Sequence, residues 1–254
     1  MRRINRRTLL TSVAEAAPVS LAAACGTPAA QRVRGVPQAP VPTASPTPAT
    51  LLRPPLTYVA IGASDTAGVG VEDPAHEAWV NVLAQALPQP VEVLNLGISG
   101  ATALDAVEQE LPPALQALQE KSGLVTVWLV VNDLLLGVPL DTYRRGLDRL
   151  LGDLRTKTDA QVAIGNAPDP PPNMDYLRVP GVPAAQRRAL VETWNATIAD
   201  LAAQHGAVLV DVFSRWPVGE HPEFIGPDRF HPSAVGYRAL ADVFRQTLAE
   251  QRII

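Results

Sequence analysis

The chain has 254 residues, 47% of them apolar, enough for one α/β domain with a full hydrophobic core and too apolar for global disorder. Charge is unevenly placed: residues 1–55 hold seven arginines and one acid, Glu15, so of 21 basic and 25 acidic residues 14 and 24 remain beyond them, a net charge near -10. That balance leaves no basic stripe to neutralise phosphates, so neither a nucleic-acid partner nor direct adsorption to an anionic membrane is expected.

Taken in chain order, Arg2, Arg3, Arg6 and Arg7 precede a mostly apolar stretch, Leu9 to Ala24, that ends in small residues immediately before Cys25. This is the layout of a cleavable export signal. Leu21-Ala-Ala-Ala-Cys25 resembles a bacterial lipobox, and Asn5-Arg6-Arg7-Thr8-Leu9-Leu10 resembles a twin-arginine export motif, which implies lipidation at Cys25 and attachment to the bacterial cell envelope through that anchor alone. Cys25 is the sole cysteine, so no intramolecular disulfide and no cysteine-based zinc site can form. From Pro28 to Pro55 come eight prolines, three arginines and no acid, without apolar periodicity, which reads as an extended linker over 26–55. The expected organisation is therefore a signal segment over 1–25, this linker, and one catalytic domain over 56–254.

Beyond the linker, apolar runs predict strands at Leu56–Ile61, Val91–Leu96, Leu124–Val131, Gln161–Ile164 and Ala207–Val212. Helical patterns fall at Glu77–Leu87, Ala106–Leu118, Asp141–Lys157, Pro183–His205 and Ala234–Glu250. The strands are continuous apolar runs, as burial on both faces of a parallel sheet produces. Five such strands with helices between them predict a three-layer α/β/α sandwich, in which ligands bind outside the carboxyl ends of the strands.

Just past those ends stand Gly62-Ala63-Ser64-Asp65-Thr66, Ile98-Ser99-Gly100-Ala101-Thr102, Val131-Asn132-Asp133 and, near the C-terminus, Asp228-Arg229-Phe230-His231-Pro232. A hydroxyl nucleophile needs a base, the base needs an orienting acid, and the oxyanion needs preorganised donors. Ser64 follows a tight glycine turn, His231 is a candidate base, and Asp228 can hold its tautomer. The backbone N–H groups of Ser64 and Gly100 and the Asn132 side-chain amide are candidate oxyanion donors. No metal and no cofactor is required by this set.

In kind and order the four segments resemble the blocks of the SGNH (GDSL-like) hydrolase family, over about residues 57–240. The resemblance implies a flavodoxin-like fold with a five-stranded parallel sheet. It also implies a serine esterase that hydrolyses carboxylic esters through a Ser64-His231-Asp228 triad and an acyl-enzyme, acting as a monomer on small-molecule, lipid or glycan esters. Two positions depart from the family pattern: Ala63 stands where Asp is common, the acid following as Asp65, and Val131 stands where Gly is usual. A β-branched residue rarely adopts the positive φ open to glycine, so Val131 is expected to crowd the Asn132 turn.

Two other functions compete. One is a non-catalytic lipid- or glycan-binding domain on the same fold; the other is metal-dependent phosphoester hydrolysis by Asp65, Asp133, Asp228 and His231, which lacks clustered ligand spacing. Elsewhere, His76 and His205 read as surface or capping groups and His221 as a lesser candidate for the cleft. Asp211 reads as a hydrogen-bonding group at the end of the fifth strand, and Trp79, Trp128, Trp194 and Trp216 as packing. The proline-rich segment Ala167 to Pro183 offers Met174, Tyr176 and Leu177 either as a pocket wall or as a surface loop.

Overall fold

The structure, a computed structural model, describes residues 55–88, 90–119, 123–171 and 176–254. The export segment with Cys25, linker residues 26–54 and Met174 lie outside these. Five parallel strands, β1 (Leu56–Gly62), β2 (Val91–Asn95), β3 (Gly123–Trp128), β4 (Gln161–Gly165) and β5 (Val208–Val210), pair in the order β2-β1-β3-β4-β5. Every residue of β3 and all of β1 after Leu56 is buried, which is why their sequences are unbroken apolar and β-branched runs. The edge strand β2 differs: Glu92, Val93 and Asn95 face solvent, so burial on both faces holds for the interior strands and fails here.

The helices are α1 (Ser64–Ala67), α2 (Pro74–Glu77), α3 (Trp79–Gln85), α4 (Ala103–Gln109), α5 (Leu111–Ala117), α6 (Val131–Leu135), α7 (Leu140–Lys157), α8 (Ala184–His205), α9 (Val212–Arg215) and α10 (Ala234–Glu250), with a 3-10 turn at Pro222–Phe224. α3 packs on α10 against one face of the sheet, and α4, α5, α7 and α8 pack together on the other. Amphipathic spacing accounts for α7, which buries Tyr143, Leu147, Leu150, Leu151 and Leu154, one stripe at i, i+4, i+7, i+8 and i+11. All four tryptophans are core residues. Trp79, Trp128 and Trp216 meet edge to face at 6.4 and 6.2 Å, and Phe244 tilts onto Trp79 at 4.5 Å. Burying each such ring is worth roughly 1.5–3 kcal/mol. Trp128 closes β3, so this column reaches the carboxyl end of the sheet.

Most element boundaries move by a residue or two, and at three elements the difference has an identifiable cause. The third strand stops at Trp128 rather than Val131, because Val131 already opens α6. The helix expected over Ala106–Leu118 is two, beginning at Ala103 and breaking at Glu110, since Pro112 and Pro113 lack the amides that would bond back into α4. The fifth strand ends at Val210, where Asp211 turns to cap α9 by accepting the Ser214 N–H at 3.2 Å. With β1 flanked by β2 and β3, chain connections leave it in opposite directions. The crevice outside the ends of β1 and β3 is thus the topological switch point of the sheet.

Candidate active site

The first candidate segment is built at the end of β1. Gly62 is held from three sides: its N–H donates to Glu110 Oε2 at 2.7 Å, its carbonyl accepts the Ile98 N–H at 3.0 Å, and the Thr66 hydroxyl packs where a side chain would stand. Two residues later Ser64 opens α1, 7% exposed, its carbonyl accepting the Val69 N–H at 3.0 Å. A backbone N–H in the first turn of a helix has no partner inside that helix, which leaves the Ser64 amide a free donor at the rim.

The second and third segments lean on this turn. Asn95, closing β2, donates to the Thr66 carbonyl at 2.6 Å and accepts the Gly97 N–H at 3.0 Å. Gly97 lies so close to α1 that a Cβ there would stand 2.6 Å from the Ala67 nitrogen and 2.9 Å from the Ala63 oxygen. Gly100 has φ 84°, a left-handed conformation that glycine adopts without strain, and open space around it; its backbone geometry, not crowding, demands glycine. Thr102 and Asp105 then form a reciprocal capping box that starts α4.

Asn132 stands in the first turn of α6 and donates from Nδ2 to the Ala101 carbonyl at 2.9 Å. Nδ2 carries two hydrogens and this bond uses one. Asp133, 1% exposed, accepts the Ala103 N–H at 3.1 Å and ties α6 to α4. Burial, opposed by that bond, pushes its carboxyl up to about 6. The expected crowding at Val131 does not occur: as the first residue of α6 it is helical and absent from the positive-φ residues, so glycine is not needed.

The last segment is a closed loop between the 3-10 turn and α10. Ile225 bridges Pro232, the Gly226 N–H donates to the His231 carbonyl at 2.8 Å, and the Ser233 N–H donates to the Phe224 carbonyl at 2.8 Å. Inside it Asp228 Oδ2 meets His231 Nδ1 at 2.7 Å, while Asp228 Oδ1 accepts the N–H groups of Phe230 and His231 at 2.9 and 3.0 Å. Arg229 takes φ 64° to let one carboxylate reach all three donors. Partial burial raises the Asp228 carboxyl, but the His231 side chain and the two amides outweigh it and hold the group below its ordinary range. The loop abuts the segment after Ser64: a Cβ on Gly70 would stand 2.8 Å from the His231 Cβ, and the Tyr237 hydroxyl donates to the Val69 carbonyl at 2.6 Å. Asp65, half-buried, is pushed up to about 6 by desolvation and by Asp228, against the pull of His231.

The structure thus gathers Ser64, Gly100, Asn132, Asp228 and His231 at one rim and leaves other candidates out. His221 is exposed, pairing with Glu223 at 3.0 Å and stacking on Phe224. His76 pairs with Asp73 on the surface, and His205 bonds Asp148 at the end of α8. Tyr176 and Leu177 are not a surface loop but core residues, 3% and 0% exposed, with Tyr176 edge-on to Trp216 and near enough to Asp65 to feel its charge. A cavity of about 330 Å³ lies toward β4 and β5 between Asp169, Arg188 and Phe213, and none of the candidate residues lines it. Among the described residues no group of three or more His, Cys, Asp or Glu is arranged to hold a metal. Missed by the sequence reading was Glu110, although the buried spacing Ala103, Ala106, Val107, Glu110, Leu111, Ala114 puts it on a core face.

Comparison with known proteins agrees with this fold. The fold is similar to that of the protein TesA (24% identity, TM-score 0.62, 76% of this chain and 97% of that one). It is also similar to the psychrotrophic esterase EstA from Pseudoalteromonas sp. (20%, 0.61, 78% and 99%) and to the acetylxylan esterase Axe2 from Geobacillus stearothermophilus (22%, 0.58, 76% and 94%). No curated protein is similar enough to count as a match. The sequence profile of the GDSL-like Lipase/Acylhydrolase family matches residues 60–239, which takes in all four segments from Ser64 to His231, and the chain belongs to this family of ester hydrolases.

Proposed function

We propose that the chain hydrolyses carboxylic acyl esters through an acyl-enzyme on Ser64. The observation that carries this reading is the Asp228–His231 pair, closed at 2.7 Å in a loop packed against the segment that follows Ser64. With Nδ1–H donated to Asp228, the Nε2 lone pair faces outward as a base. His231 Nε2 takes the Ser64 proton as Oγ attacks the ester carbonyl. The oxyanion is met by the N–H groups of Ser64 and Gly100 and the second Asn132 amide hydrogen. His231 returns the proton to the departing alcohol, then activates water to release the acid and restore Ser64. Substrates such as short acyl esters and acetylated glycans fit this chemistry, and Axe2, described as an acetylxylan esterase, supports the latter class.

Replacing Ser64 by Ala tests the reading with p-nitrophenyl esters. Turnover is expected to fall by about 10³-fold or more, and His231→Ala to fall alike because the two act as one unit. Near wild-type turnover in pure Ser64→Ala protein overturns it. Export and lipid anchoring at Cys25, read from the sequence alone, complete the proposal. Cys25→Ser should release the protein from the membrane fraction, and an unmodified Cys25 within a longer N-terminus would contradict the anchor.

A further inference from the structure

We propose that Glu110 is the positioning residue of the Ser64 turn, fixing the last peptide of β1 from behind the site. The proposal rests on the ester-hydrolase reading above. Glu110 is 0% exposed at the junction of α4 and α5, and its Oε2 accepts the Gly62 N–H at 2.7 Å. Gly62 is otherwise gripped by the Ile98 N–H on its carbonyl, so Glu110 fixes the peptide that enters Gly62 and Ile98 the one that leaves it toward Ala63 and Ser64. The other oxygen, Oε1, is buried and has no partner. A carboxylate in that position would have one amide for its charge, and the neutral acid is the cheaper form.

The surroundings act in the same direction. Burial dominates, the Gly62 amide opposes it, and Asp105 on α4 adds its negative charge, which together push the carboxyl up to about 8. From β1 Glu110 meets that amide, and the residues that α7 buries are Tyr143, Gly146 and leucines, none charged. Glu110 therefore holds the turn as a neutral acid at pH 7. Ionisation above about pH 8 leaves a buried charge behind Ser64 that one amide does not compensate, and the pull of that carboxylate toward water displaces the peptide it fixes.

The full-length protein is compared as wild type, Glu110→Gln and Glu110→Leu, by hydrolysis of p-nitrophenyl acetate, by the rate of fluorophosphonate labelling, and by thermal unfolding from pH 5 to 9.5. Glutamine keeps an acceptor for Gly62 and cannot ionise. The expected result is a wild-type kcat and labelling rate that fall above about pH 8 and a Glu110→Gln profile that stays level there. Glu110→Leu, folded at the assay temperature, should lose about 10- to 100-fold in kcat at pH 7 with little change in KM. Because the wild-type acid resists ionising when folded, the Tm advantage of Glu110→Gln should grow between pH 5 and 9. An alkaline limb identical in wild type and Glu110→Gln overturns the proposal, as does a Tm difference that does not change with pH. Wild-type protein inert to both reagents at every pH overturns the ester-hydrolase reading instead.

Discussion

Asn132 shows how a single side chain can be both anchored and available. Its Nδ2 gives one hydrogen to the Ala101 carbonyl at 2.9 Å, which fixes the amide plane, and in the proposed mechanism offers the other to charge that develops on the substrate. Since such a donor acts chiefly in the transition state, Asn132→Ala should lower kcat by about 10²–10³-fold, roughly 3–4 kcal/mol, with a much smaller change in KM; steady-state kinetics on one ester separates the two. A pure KM effect would reassign Asn132 to substrate binding. The five rim residues were legible because each belongs to a short contiguous segment whose residue types carry the chemistry. Glu110 was not, since its partner Gly62 is 48 residues away and nothing local in the sequence marks the bond. Val131 failed for a different reason: its helical backbone depends on where β3 stops, and an apolar run through Val130 and Val131 hides that point.

At the scale of elements, the site is a set of close approaches among short helices at the ends of β1, β2 and β3. Gly97 lies against the backbone of α1, and the atoms a side chain would strike there cannot rotate away. Gly97→Ala should therefore destabilise the fold by about 1–3 kcal/mol and depress turnover together, as α1 is pushed outward with Ser64 at its head. Urea unfolding and ester hydrolysis on the same preparation check this, and unchanged values in both would show that the approach is slack. Long helices and interior strands were legible because burial imprints their periodicity on many residues. The four-residue helices α1, α2 and α9 were not, being too short for a period and fixed by contacts with neighbouring elements.

Across the whole molecule, buried acids set the response to pH. Glu110 and Asp133 are held up to about 8 and about 6 in the folded state, so the unfolded chain ionises first. Their contribution is most favourable below about pH 4, declines as pH rises through the interval between unfolded and folded values, and levels off once the folded groups ionise. Stability should accordingly fall between pH 5 and 8.5, by at most on the order of 4 kcal/mol from Glu110, as urea midpoints at the two pH values would record. The layers and the rim were readable from apolar runs and the residues that end them, and the family from the resemblance of the four segments to its blocks. Strand order was not, because it depends on which strands pair across the crossovers. The proposed hydrolysis requires at every scale that Ser64 act as a nucleophile served by His231. The most direct test is intact-protein mass spectrometry after exposure to a fluorophosphonate, followed by peptide mapping. The account predicts one adduct per chain, on Ser64, lost in Ser64→Ala and strongly slowed in His231→Ala; an unlabelled wild-type protein, or an adduct that persists on another residue in Ser64→Ala, would contradict it.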